Sequence, residues 1–210
     1  PGGVMFDLHP NFVPKTKDFI RFFKSKIDEY DELVTGNIIF RERMQGVGYI
    51  SAEDAVSYGC TGPVARASGV ACDIRKSAPY EGYDKLNFKE IIHTGGDCFA
   101  RYMVRMEEMR ESLSIVEQLI DDIPEGEYQA KTKAVLKLPK GEYFSRVETA
   151  RGEFGVYIIS EGATTPYRIK FRSPGFSNLS ALDHMSRGGK IGDLVATMGS
   201  LDLVIPDIDR

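Results

Sequence analysis

Residues 66–84, RASGVACDIRKSAPYEGYD, gather Asp73, Arg75, Lys76, Tyr80, Tyr83 and Asp84 in one stretch punctuated by glycine and proline. Composition leaves two readings open, a solvated loop or a functional one, because loops carry both solvation and function. A second polar set, Arg101, Arg105, Glu108 and Ser112, advances by four, three and four positions. On a helix turning about 100° per residue these four side chains share a narrow arc. They form either a solvated face, with pairs contributing about 0.2–0.5 kcal/mol each, or a packed network with Asp97 and Asp73 as partners for the arginines.

The thiols and imidazoles offer less. Cys60, Cys72 and Cys98 stand 12 and 26 positions apart, without the CxxC spacing of a metal site, and read as structural thiols of a reducing compartment. His9, His93 and His184 are scattered, so no metal site within this chain is expected. Gly95-Gly96 and Gly188-Gly189 lack the rest of any phosphate-cradling fingerprint.

The elements that must position these residues divide into a helical front, 1–125, and a rear, 126–210, with a small sheet and short helices. Phe19, Ile20, Phe23, Ile27, Tyr30 and Val34 recur every three or four residues, so Lys17–Val34 reads as an amphipathic helix approached by Pro14 and ended before Gly36. Ser51 caps a short helix with Asp54 three residues on, closed by Gly59. The longest regular stretch predicts a helix over about 98–122, with Phe99, Met106, Leu113, Val116 and Ile120 as its buried stripe. Behind it come the short runs AVLKL, YFSRVE, EFGVYIIS and YRIKFR, the last two joined by EGATTP as a hairpin of a small antiparallel sheet. Two short helices follow around Gly188 and Gly189, and Leu203–Ile205 reads as a buried run before a charged terminus. The fold class is α+β, predominantly helical.

Composition excludes several functions. With 42% hydrophobic and 28% charged residues, disorder is not expected, and 27 basic against 31 acidic residues leave no clustered basic surface for nucleic acid. No run reaches the length of a membrane span, and the opening PGGVMFDLHP is not a signal region. A start at Pro1 without Met suggests a fragment of a longer chain.

Five stretches in order carry a resemblance: TGPVARASGVACDIRKSAPYEGYD, GGDCFARYMVRMEEMRES, PKGEYFSRVETARGEFGVYIISEG, PYRIKFRSPGF and the closing DIDR. Together with the opening PGGV they resemble the C-terminal half of the D-type, or 49-kDa-type, subunit of NADH-quinone oxidoreductase, respiratory complex I. The resemblance implies a partial nickel-iron hydrogenase large-subunit-like fold and a peripheral-arm location on the cytoplasmic side of the bacterial inner membrane. The polypeptide would lie beside the iron-sulfur subunit that carries the terminal cluster and near the membrane-arm subunit at the quinone entrance. There it would help form the site where electrons from NADH reach quinone, coupled to ion translocation. Iron-sulfur clusters and FMN would reside in partner subunits, with quinone the substrate and no metal held here.

The same resemblance makes Val204, Asp207, Asp209 and Arg210 quinone-cavity candidates. It favours a buried network of Asp73, Arg75, Asp97, Arg101, Arg105 and Glu108, in which Arg105→Ala would cost about 3–5 kcal/mol. Hydrogenases carry a CxxC pair near the C-terminus, whereas this chain ends LVIPDIDR without cysteine. The segment IPEGEYQAKTKAVLKLPKGEYF replaces an insertion with His-His-Phe found in many relatives and fits other branches of the family. The headgroup-holding His and Tyr of the family lie upstream of PGGV, so the chain alone is expected to be inactive, with exposed apolar surface where the rest should sit.

Overall fold

Helix α1, Phe12–Tyr30, opens the computed structural model, which describes residues 2–133 and 135–209. It begins five residues before the expected Lys17, and Pro14 lies within its first turn, where the backbone N–H has no helical partner to lose. Ile20 and Ile27, two turns apart, are buried, while Phe19 and Tyr30 of the expected stripe are exposed. After Tyr30 the helix widens into a π-turn, Asp31–Thr35, which ends at Gly36 as expected.

Side-chain caps start several of the following helices. Asn37 caps α2, Ile38–Met44, and Ser51 Oγ accepts from Asp54 N at 3.0 Å to start α3, Ala52–Ser57. Then come α4, Gly62–Arg66, and α5, Ile74–Ser77, capped by Asp73.

Helix α6, Cys98–Leu119, ends three residues before the expected limit. Asp97 caps it, accepting from Ala100 N and, with its other oxygen, from Gly46 N, each at 2.7 Å. Met106, Leu113 and Ile120 are buried as the stripe requires, but Phe99 is half-buried and Val116 exposed. Cys98, Ala100, Arg101 and Val104 are buried instead, because α1, α2, α4 and α9 all pack on this helix and leave no single dry face.

Strands β1, Gly141–Thr149, β2, Gly152–Ser160, and β3, Arg168–Arg172, form an antiparallel sheet in that order, with β2 central. The expected β2–β3 hairpin is present, pairing Gly155 with Arg172. The AVLKL run is a correction: Ala134 lies outside the described residues, and 135–138 is no strand but an exposed segment, with Leu138 O accepting from Ser160 Oγ at 2.8 Å. A lone strand cannot satisfy its backbone groups.

Helices α7, Pro174–Ser180, α8, Leu182–Ser186, α9, Ile191–Ser200, and α10, Ile205–Ile208, complete the chain. The largest buried cluster joins Ile50, Ala55, Cys60, Val64 and Ala65 to Ala181, Met185 and Leu201, drawing on front and rear together. Leu203 packs against it, but Ile205 is 71% exposed, so the expected buried terminal run is buried only in part. The architecture is α+β with a small three-stranded sheet. Among the described residues, no helix is long and apolar enough to cross a membrane.

Candidate functional site

Two glycines decide where the polar residues meet. Gly62 (φ +65°) opens α4, and a Cβ there would overlap the carbonyl of Arg151 in the β1–β2 turn; Gly152 (φ +130°) approaches Thr61 just as closely from the other side. The backbones of TGP and ARG therefore touch, as only glycine permits. This contact carries Arg66, the last residue of α4, to the end of β1 and the flank of α6.

There Arg66, 1% exposed, donates from Nη1 to Glu148 Oε1 at 2.9 Å and from Nη2 to Glu108 Oε1 at 2.5 Å. Burial works against its charge, but the two carboxylates outweigh that and hold its pKa above the ordinary value. Glu148 is pulled both ways: burial pushes its carboxyl up, while Arg66 opposes the rise. Its two oxygens both accept, Oε1 from Arg66 and Oε2 from Ile74 N at 3.2 Å, which fits an ionised carboxylate. The Tyr80 hydroxyl closes the corner, accepting from Glu148 N at 3.0 Å and donating to Glu148 O at 3.4 Å.

The 66–84 stretch is thus tied down on several sides. Asp73, 1% exposed, accepts from Arg75 Nη2 at 2.7 Å and from Arg75 N at 2.9 Å. Burial opposes its ionisation, yet Arg75 prevails and holds the carboxyl below its ordinary value. Glu90 accepts from Cys72 N and Asp73 N, and Arg75 and Lys76 lie over the Phe88 ring at 5.0 and 3.8 Å. Asp84 is exposed and stands outside these contacts.

The pairing expected across α6 differs from the one observed. Arg101 is fully buried, but its partners are Gly96 O at 3.0 Å, Gly48 O at 2.8 Å, Ser200 Oγ at 2.9 Å and Cys98 Sγ at 3.3 Å, not Asp97 or Asp73. It ties the 46–50 loop, α6 and α9 together, and burial lowers its pKa. Asp97 and Asp73 are occupied as caps. Glu108 does join a network, with Arg66 rather than with an arginine of its own helix. Ser112 is exposed, and Arg105 faces a cavity. Sequence patterning misses Arg66, Glu148 and Glu90. Their signal is the pair of glycine turns, TGP and ARG, which only the folded chain brings together.

The terminal candidates sit apart from this network. Val204 is half-buried and precedes α10, and Asp207 Oδ2 accepts from Gly175 N at 3.1 Å, clamping α10 to the start of α7. A Cβ at Gly175 would overlap that carboxylate. Asp209 is exposed, and Arg210 lies outside the described residues. Burial pushes the thiols of Cys60 and Cys72 up to about 11, leaving them protonated at neutral pH. Among the described residues, no three His, Cys, Asp or Glu side chains are grouped to hold a metal ion.

Comparison with known proteins gives this arrangement its family. The family described as respiratory-chain NADH dehydrogenase, 49 Kd subunit, matches residues 1–138 and 132–210. The C/D-type subunit of NADH-quinone oxidoreductase from Bacteroides fragilis is 57% identical over 209 residues, covering 100% of this chain and 39% of that protein. A D-type subunit of the same oxidoreductase from Solibacter usitatus is 47% identical, with 100% of this chain and 56% of its own length covered. The H-type subunit of an NAD(P)H-quinone oxidoreductase from Gloeobacter violaceus is 42% identical, with 100% of this chain and 59% of its own length covered. The chain belongs to the 49 Kd subunit family of respiratory-chain NADH dehydrogenase, and spans about two fifths of the C/D relatives it matches.

Proposed function

We propose that this chain is part of a C/D-type subunit of NADH-quinone oxidoreductase that helps form the quinone-reduction site, coupling electron transfer from NADH to ion translocation. The observation that carries this reading is the 57% identity along the whole chain to a protein named as that subunit. The polypeptide sits in the peripheral arm on the cytoplasmic side of the membrane, on a hydrogenase large-subunit-like framework. Its neighbours are the iron-sulfur subunit with the terminal cluster and the membrane-arm subunit at the quinone entrance. FMN and iron-sulfur clusters belong to partners, and residues 1–210 alone supply no catalytic group. Val204, Asp207, Asp209 and Arg210 line the quinone cavity, while the network around Arg66 sets the rigid wall behind the α6 face.

A second reading, a hydrogenase large subunit, has less support, since the relatives matched along the whole chain are named as NADH-quinone oxidoreductase subunits. The test is made on the complex purified from native membranes. Inhibitor-sensitive reduction of quinone by NADH, with neither hydrogen evolution nor nickel, is the expected result; hydrogen evolution with nickel would overturn it. Val204→Ala and Asp209→Asn are then expected to weaken inhibitor affinity while the amount of assembled complex stays unchanged. The converse pattern would make this part of the chain a scaffold.

A further inference from the structure

Arg105, a half-buried guanidinium, faces a cavity without a hydrogen bond to any carboxylate among the described residues. A cavity of about 570 Å³ opens between α1, α6 and the end of β1, with Phe23, Met109 and Leu113 on its apolar side and Arg66, Arg75 and Arg105 on its polar side. Arg66 and Arg75 are matched by Glu108, Glu148 and Asp73. Arg105 differs. Among the described residues its Nη1 donates to Arg101 O at 3.2 Å, its Nε is buried without a hydrogen-bond partner, and the carboxylates of Asp202 and Glu108 act on it through space without a direct hydrogen bond. Asp202 at the cavity is engaged by Arg151 at 3.3 Å.

This guanidinium calls for an acceptor, because its buried Nε is a donor left unsatisfied at a cost and its planar fork fits a carboxylate best. The apolar wall demands something else: a side chain or backbone that displaces water, which a small free anion would not do. A polypeptide segment carrying an acidic residue meets both demands. The relatives supply the length for one, since the matched region is only 39% of the C/D protein. A segment of the same polypeptide is held nearby by its covalent connection, which raises its effective concentration without any further contact.

We propose that a carboxylate-bearing segment of the same longer polypeptide, outside residues 1–210, packs into this cavity and forms an ion pair with Arg105. The inference rests on family membership and cavity geometry, not on the quinone reading.

The experiment uses the full-length subunit in its purified complex, with benzoylphenylalanine at Ser112, an exposed residue of the cavity rim. Photolysis and mass spectrometry are expected to recover a cross-link to a segment of the same polypeptide outside 1–210 that contains Asp or Glu. Arg105→Lys, which keeps the charge, should retain assembly, whereas Arg105→Glu should lose it. Exchanging the captured acid for arginine should restore assembly to Arg105→Glu. Capture of another subunit, of a segment without a carboxylate or of nothing overturns the proposal, as does failure of the charge exchange. None of these readouts requires quinone reduction.

Discussion

Arg66 holds two carboxylates that come from 42 and 82 residues away in the chain. Replacing it with methionine keeps most of the volume but strands Glu148, whose side chain is 3% exposed, and Glu108. The expected loss is about 3–5 kcal/mol, measured by chemical denaturation of the purified protein. The sequence places that loss at Arg105, which holds no carboxylate by a direct hydrogen bond among the described residues. The reason is physical: sequence spacing reveals neighbours within one helix, and Arg105 and Glu108 do share a face, but ion pairs across the fold have no local signature. Asp73 gives a second prediction. Its carboxyl is held below the ordinary 3.8, so its contribution to stability is complete above pH 3.8 and disappears as pH falls through the folded value. Asp73→Asn should lower stability at neutral pH and flatten the acid limb of the stability profile; an acid limb as steep as the parent's would assign that limb to other carboxylates.

At the scale of elements, the Ser51 cap was legible because a cap is a contact of two or three residues. Asp73 and Asp97, expected as partners for the arginines, instead cap α5 and α6, and the unpaired run was not legible either. AVLKL has strand composition, yet a strand needs an edge to pair with, and its composition says nothing of whether one is free. The same limit hid the meeting of α4 with the β1–β2 turn, which depends on Gly62 and Gly152 lying face to face across the fold. Gly62→Ala would place a Cβ on the Arg151 carbonyl in a left-handed conformation, at about 1–2 kcal/mol for the backbone and about 1–3 kcal/mol for the overlap. Because the contact aims Arg66, the substitution should also weaken its pairing with Glu148. Stability of the Gly62→Ala, Arg66→Met double variant reads this directly: the two losses should fall short of additive, and full additivity would mean that the turn and the network are independent.

The whole molecule leaves apolar side chains in water at a cost that no ordinary surface needs. Ile38 and Ile39 on α2 are each 72% exposed, and on α9 Ile191 reaches 91% and Val195 73%. Ile39 and Val195 flank one shallow groove with Phe40 and Met44. Residues so exposed contribute little to folding, so their chemistry can be changed without disturbing the core that joins front and rear. An Ile39→Lys, Val195→Lys pair should leave the circular dichroism and melting temperature of the subunit essentially unchanged. In the assembled complex the same pair would bury two uncompensated charges, a penalty of several kcal/mol. Recovery of partner subunits on purification from membranes is the measurement, and a marked loss is expected. Full recovery would mean that this groove stays wet in the complex, and would move the search for the covered face to the exposed Met5 and Phe6 near the chain's beginning.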